Sequence, residues 1–85
     1  MFIRDQEQCE LINMDNVYSI SIEEEPFYPD YESIRRGHIW YVRLYYPDGE
    51  TYIGQYKSEE RAKAVMNEIA ECCASGIDIY NMPKE

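Results

Sequence analysis

The side chains with most chemistry in this chain are carboxylates in a row and arginines among tyrosines. Glu23-Glu24-Glu25 stand together, and Asp30 and Glu32 follow, interleaved with the aromatics Phe27, Tyr28 and Tyr31. Acids beside rings suit contact with a cationic partner surface. The charges attract, and each ring supplies contact area at low entropy cost. The same rings also suit a plainer role, pinning their segment onto the body of the protein. A second set is Tyr41, Arg43 and Tyr45, with Arg35 and Arg36 upstream. Arginine offers a bidentate fork to a phosphate, and tyrosine a platform on which a base stacks. This set points instead to an anionic nucleotide ligand.

Other chemistries lack their parts. His38 is the sole histidine, and no G-x-S-x-G nucleophile elbow accompanies it. A Cys9–His38 dyad is conceivable, but His38 reads better as a strand-edge residue after Gly37. No G-x-G-x-x-G or phosphate-loop sequence is present. The run Glu23-Glu24-Glu25 lacks the alternating ligand spacing of a calcium loop. Cys9, Cys72 and Cys73 are an odd number, two of them adjacent, with no Cys-x-x-Cys. They read as small buried hydrophobes in a reducing compartment rather than as a disulfide framework or a zinc site. The expectation is a protein that is not an enzyme and needs no cofactor or metal.

Charge sharpens this. The chain of 85 residues carries 17 acids against 8 bases, a formal charge of −9. Residues 1–34 hold nine acids (Asp5, Glu7, Glu10, Asp15, Glu23, Glu24, Glu25, Asp30, Glu32) and one base, Arg4, a net −8. Direct nucleic-acid binding needs a cationic footprint and docking on anionic lipid needs basic residues, so both are disfavoured. An acidic face either keeps a small protein dissolved or speeds encounter with a cationic partner. No apolar run approaches a membrane span. The start, Met1-Phe2-Ile3-Arg4-Asp5, shows no signal-peptide pattern, and a cytoplasmic location is expected.

The elements that position these residues follow from periodicity. Phe2-Ile3-Arg4 reads as an opening strand, with Cys9 to Met14 returning as its hairpin partner. Val17 to Ile22 alternates with period 2, the mark of a strand covered on one side. From Glu23 to Gly37 the pattern breaks, with Pro26, Pro29 and clustered acids predicting a long exposed loop. His38 to Tyr46 is a strand, and Tyr46-Pro47-Asp48-Gly49 a turn. A bulge at Gly49 would set Tyr46 against Glu50, Leu44 against Tyr52, Val42 against Gly54 and Trp40 against Tyr56. One face then holds Trp40, Val42, Leu44, Tyr52 and Tyr56 and is assigned to the core. The other holds Tyr41, Arg43, Tyr45, Thr51, Ile53 and Gln55. Ser58 is a good N-cap, Glu59 and Glu60 complement the dipole, and Gly76 suits a left-handed stop. Between them Ala62, Val65, Met66, Ile69, Cys72 and Cys73 form one stripe of a 3.6 period. Ile77 to Tyr80 reads as a closing strand. The expected fold is α+β: one domain over 1–85, a small antiparallel sheet of about five to six strands, and one amphipathic helix (about 59–75) on one face.

Three blocks carry a resemblance: Ile3-Arg4-Asp5-Gln6, the central Gly54-Gln55-Tyr56-Lys57-Ser58-Glu59-Glu60-Arg61-Ala62-Lys63, and Tyr80-Asn81-Met82-Pro83. Together they resemble a loose group of small uncharacterised proteins of Gram-positive bacteria and their phages, in which a G-x-Y-x-S/T-E-E-x-A run leads from a strand into a single helix. The resemblance implies a phage or mobile-element origin and attaches no activity. By analogy of size and charge, such proteins resemble anti-defence inhibitors.

Two functional expectations follow. In the first, an acidic interaction protein presents Glu23, Glu24, Glu25, Asp30, Glu32, Phe27, Tyr28 and Tyr31 to a basic protein surface. It would act as an anti-CRISPR-like or other DNA-mimicking inhibitor, for instance of a host defence nuclease. In the second, a small oligomeric binder sequesters an anionic nucleotide signal through Arg35, Arg36, Tyr41, Arg43 and Tyr45. A third reading is a subunit that self-assembles through strand edges and Ile53.

Overall fold

The structure, a computed structural model, describes residues 1–26 and 38–85. Strands β1 (Phe2–Arg4) and β2 (Leu11–Asn13) pair as the opening hairpin. Its turn is fixed by Asp5, whose carboxylate accepts the backbone N–H groups of Cys9 and Glu10, and by Gln8, which adopts a left-handed φ of 63°. Asp5 is buried, and these bonds offset the cost of removing its charge from water. A 3-10 turn over Met14–Asn16 follows. Then come strands β3 (Ser19–Pro26), β4 (His38–Tyr46) and β5 (Gly49–Tyr56), helix α1 (Glu59–Ser75) and strand β6 (Ile79–Asn81).

The α+β class holds, but the strands form two sheets rather than one. β3, β4 and β5 make an antiparallel sheet in that order, and a smaller sheet has the order β2-β1-β6. β6 runs parallel to β1, so the expectation of a single antiparallel sheet is corrected. The break has a local cause. The Asp5 turn ends β1 at Arg4, and a single backbone bond, Gln6 N–H to Ile53 O at 2.9 Å, then reaches β5. The Gln6 side chain supplies the remaining link. Its Oε1 accepts from Gln55 N–H at 2.8 Å, and its Nε2 lies within donating distance of the Gln55, Pro83 and Lys84 carbonyls. One amide therefore joins both sheets to the C-terminal tail.

The expected loop over 23–37 is also corrected at its start, because β3 runs on through Glu23, Glu24 and Glu25 to Pro26. Its partners there are Tyr41, Trp40, Ile39 and His38. Successive side chains along a strand point to opposite faces, so adjacent glutamates need not crowd one another. Proline is tolerated at the end of an edge strand. The remainder of that predicted loop lies outside the described residues.

The β4–β5 hairpin matches the expected register only in part. Trp40 faces Tyr56 and Val42 faces Gly54, as predicted; above them Arg43 faces Tyr52, Leu44 faces Thr51 and Tyr46 faces Gly49. The extra residue is accommodated at Ile53, between the Val42 and Arg43 pairs, and not at Gly49. Gly49 does not take the positive φ that a glycine bulge requires. Pro47 holds its own φ negative, so the turn is not one of the primed types either. Moving the bulge turns over the residues from Glu50 to Ile53. Ile53 is 1% exposed and sits in the core, while Tyr52 is 41% exposed on the outer face. A self-assembly surface built on Ile53 is thereby removed.

α1 lies on the inner face, against β3, β4 and β5. Ser58 accepts the N–H of Arg61 and Gly76 closes the helix at φ 74°, as the sequence predicts. Ala62, Val65 and Ile69 are buried with Val42, Leu44, Ile53 and Tyr56, and Ile3 of β1 and Met82, just past β6, join the same core. The stripe ends early. Cys72 is half-buried, and Cys73 and Cys9 are exposed, which corrects the reading of all three as buried hydrophobes. Gly54 marks the tightest approach, since a Cβ there would stand 3.0 Å from both Met82 Cε and the Tyr56 hydroxyl. Among the described residues no helix is long and apolar enough to cross a membrane.

Candidate functional site

The outer face of the β3–β4–β5 sheet, turned away from α1, gathers Ser21, Glu23, Tyr41, Arg43, Tyr45, Glu50 and Tyr52. Cross-strand pairing builds it: Ser21 stands opposite Arg43 and Glu23 opposite Tyr41, with Arg43 in turn opposite Tyr52. Arg43 is the hub. Its Nη1 lies 3.2 Å from Glu23 Oε1 and 3.2 Å from Glu50 Oε1. Its guanidinium stacks 4.1 Å from the centroid of the Tyr52 ring and 6.0 Å from that of Tyr45. Tyr52 also packs on Tyr41, with ring centroids 4.5 Å apart. The side chain of Arg43 is consequently 15% exposed, although it sits on an outer face.

Glu23 is held as firmly. The Tyr45 hydroxyl donates to its Oε2, and Ser21 Oγ donates to the same oxygen at 3.0 Å. The Tyr45 hydrogen bond, helped by the Ser21 bond and the Arg43 charge and opposed by partial burial, holds its carboxyl below the ordinary glutamate range. Glu23 is therefore an anion at neutral pH, and the Arg43–Glu23–Glu50 group carries a net single negative charge.

That charge balance bears on the nucleotide expectation. Tyr41, Arg43 and Tyr45 do come together, but the guanidinium is already matched by two carboxylates. A phosphate would have to displace one of them and then face the other. Arg35 and Arg36 lie outside the described residues. So do Phe27, Tyr28, Asp30, Tyr31 and Glu32 of the first set. Of its glutamates, Glu23 belongs to the Arg43 group, and Glu24 is exposed at a strand position of opposite facing. Glu25 pairs in register with Ile39. The other described N-terminal acids sit on different elements: Asp5 buried in the β1–β2 turn, Glu7 and Glu10 exposed in the same hairpin, and Asp15 in the 3-10 turn.

Three contributors escape the sequence reading. A bulge at Gly49 turns Tyr52 inward, whereas the bulge at Ile53 brings both Tyr52 and Glu50 next to Arg43. Glu7 arrives from the β1–β2 turn. With Asp5 and Gln6 it borders a cleft of about 340 Å3 whose other wall is Tyr41, Tyr52 and Gln55. The legible signal was Ile53 itself, the more apolar of two neighbours competing for one inward position. Among the described residues, no group of three histidine, cysteine, aspartate or glutamate side chains is placed to hold a metal ion. No family model, curated protein or solved structure matches the chain.

Proposed function

We propose that the protein is a non-enzymatic binding protein that docks the outer face of its larger sheet onto a positively charged protein surface. The observation that carries this reading is the composition of that face: Tyr41, Tyr45 and Tyr52 around a braced Arg43, edged by Glu23 and Glu50. Tyrosine and arginine are the residues that dominate the energetics of protein interfaces. Here their geometry is fixed before any partner arrives, which lowers the entropy cost of association. The net negative charge and Glu7 at the neighbouring cleft favour a lysine or arginine as the partner's anchor. Blocking such a surface is how an inhibitor of a nucleic-acid-handling protein would act. A host defence nuclease is the example that the phage-like resemblance suggests. The described acids favour a mixed tyrosine–carboxylate epitope over a regular row of phosphate mimics.

A lysine-rich peptide titrated into labelled protein and followed by amide NMR shifts tests this. The reading expects shifts centred on Ser21, Arg43, Glu50 and Tyr52 at about 50 mM salt, largely lost at about 200 mM as screening sets in. Shifts confined to the exposed side of α1, or indifferent to salt, would count against it.

A further inference from the structure

The described part of this acidic chain holds six side-chain cations: Arg4, Arg43, Lys57, Arg61, Lys63 and Lys84. Three of them, Lys57, Arg61 and Lys84, line one cleft of about 300 Å3 between the end of β5, the first turn of α1 and the C-terminal tail. Among the described residues none of the three has a carboxylate side chain within ion-pair distance, whereas Arg43 and Lys63 do. Among the described residues Glu85 is the one acid lining the cleft. Arg61 is oriented within it. Its Nε donates to the main-chain oxygen of Glu85 at 2.8 Å, and its guanidinium lies 5.9 Å from the centroid of the Tyr56 ring. The two terminal nitrogens of the fork have no hydrogen-bond acceptor among the described residues. Ile39 and Tyr56 add an apolar wall. Tyr56 is fixed in turn by its hydroxyl, which donates to Pro83 O at 2.8 Å. The Ser58 hydroxyl already serves Arg61 N–H, so the cations rather than the helix end supply the attraction.

We propose that this cleft binds a small phosphate monoester carried on an apolar, preferably aromatic, body. Two ammonium groups and a guanidinium fork match a dianion better than a monoanion. The apolar wall has no use for free inorganic phosphate. The overall charge of −9 does not forbid such a ligand, because charges beyond about 8–10 Å are screened at physiological ionic strength. Gln6 and Gln55 border both this cleft and the one beside Tyr41 and Tyr52, but none of the tyrosines, arginine or glutamates of the outer face lines it, so variants of Lys57 and Lys84 test this proposal separately.

The test uses phenyl phosphate, inorganic phosphate and phenol as probes, with amide NMR shifts as readout. Phenyl phosphate is expected to move Ile39, Tyr56, Lys57, Ser58 and Lys84, and to bind at least about tenfold more tightly than either fragment. The double variant Lys57→Gln, Lys84→Gln changes two exposed side chains and should weaken binding about tenfold or more. Lys63→Gln, on the same helix but paired with Glu59, should leave it unchanged. Absence of shifts with phenyl phosphate, equal binding of inorganic phosphate, or equal loss in Lys63→Gln would each overturn the assignment.

Discussion

Replacing Ile53 and Tyr52 one at a time by alanine tests the bulge that builds the outer face. Ile53 is almost fully buried among Val42, Leu44 and Val65. Ile53→Ala removes three carbons from that core and should cost about 2–5 kcal/mol. Tyr52→Ala forfeits the ring pair with Tyr41, worth about 0.5–1.5 kcal/mol, and the cation–π contact with Arg43, worth about 0.5–1 kcal/mol. A domain of 85 residues has a total stability of roughly 4–13 kcal/mol, so the first loss is a large share of the whole. Urea denaturation followed by Trp40 fluorescence reads both. With a slope of about 1–3 kcal/mol per molar urea, the Ile53→Ala midpoint should fall by about 1 M or more, and clearly further than that of Tyr52→Ala. In the register with a bulge at Gly49 the order reverses. Tyr52 would be the core residue, costing about 3–5 kcal/mol, and Ile53 an exposed one costing about 0.5 kcal/mol or less. A larger loss for Tyr52→Ala would refute the register, and with it the grouping of Tyr52 with Arg43.

Gly54→Ala should destabilise by about 1–3 kcal/mol, because the fixed Tyr56 ring cannot retreat from a Cβ; Gly49→Ala, whose nearest atom is Tyr46 Cε2 at 3.9 Å, should be near neutral in the same denaturation assay. The carboxyl of Glu23 is lowered from the ordinary value of 4.5, so its stabilising contribution is complete above that value and is lost as pH falls through the lowered one. Glu23→Gln should therefore be less stable than the parent at neutral pH, with the gap closing in acid; a gap that widens on acidification would contradict the sign. Burial pushes the Tyr56 hydroxyl up to about 12, so its protonated form stabilises the fold below pH 10 and the benefit is lost between about 10 and 12. Tyr56→Phe should cost about 1 kcal/mol at neutral pH through the lost bond to Pro83, yet show a shallower alkaline decline in a pH series of unfolding midpoints.

How much of this was legible in the sequence depends on how local the determinants are. α1 was readable end to end, since Ser58, the acidic first turn, the apolar stripe and Gly76 all lie within one segment and agree. Only the tail of the stripe misled: Cys72 and Cys73 keep the helical spacing, but Cys73 lies outside the packed interface. The Val42–Gly54 and Trp40–Tyr56 pairs were readable because one extra residue anywhere from Gly49 to Ile53 sets them the same way. The bulge was not, because Gly49 and Ile53 accommodate one extra residue equally well by count, and only burial of Ile53 in the core shared with α1 distinguishes them. The division into two sheets was invisible, since it rests on β6 finding β1 from the opposite end of the chain and on Gln6 bonding across to β5. The site follows the same rule. The Tyr41–Arg43–Tyr45 spacing was visible, but the carboxylates that neutralise Arg43 come from β3 and from the far strand of a hairpin whose register had slipped by one.

The docking reading is tested most directly by a photocrosslinking amino acid placed at Tyr52, and separately at the exposed helix position Asn67, with the same lysine-rich peptide as target. The account predicts efficient crosslinking from position 52 at low salt, loss of that product as salt rises, and little product from position 67. Equal yields from both positions, or a yield at 52 that persists at high salt, would contradict it.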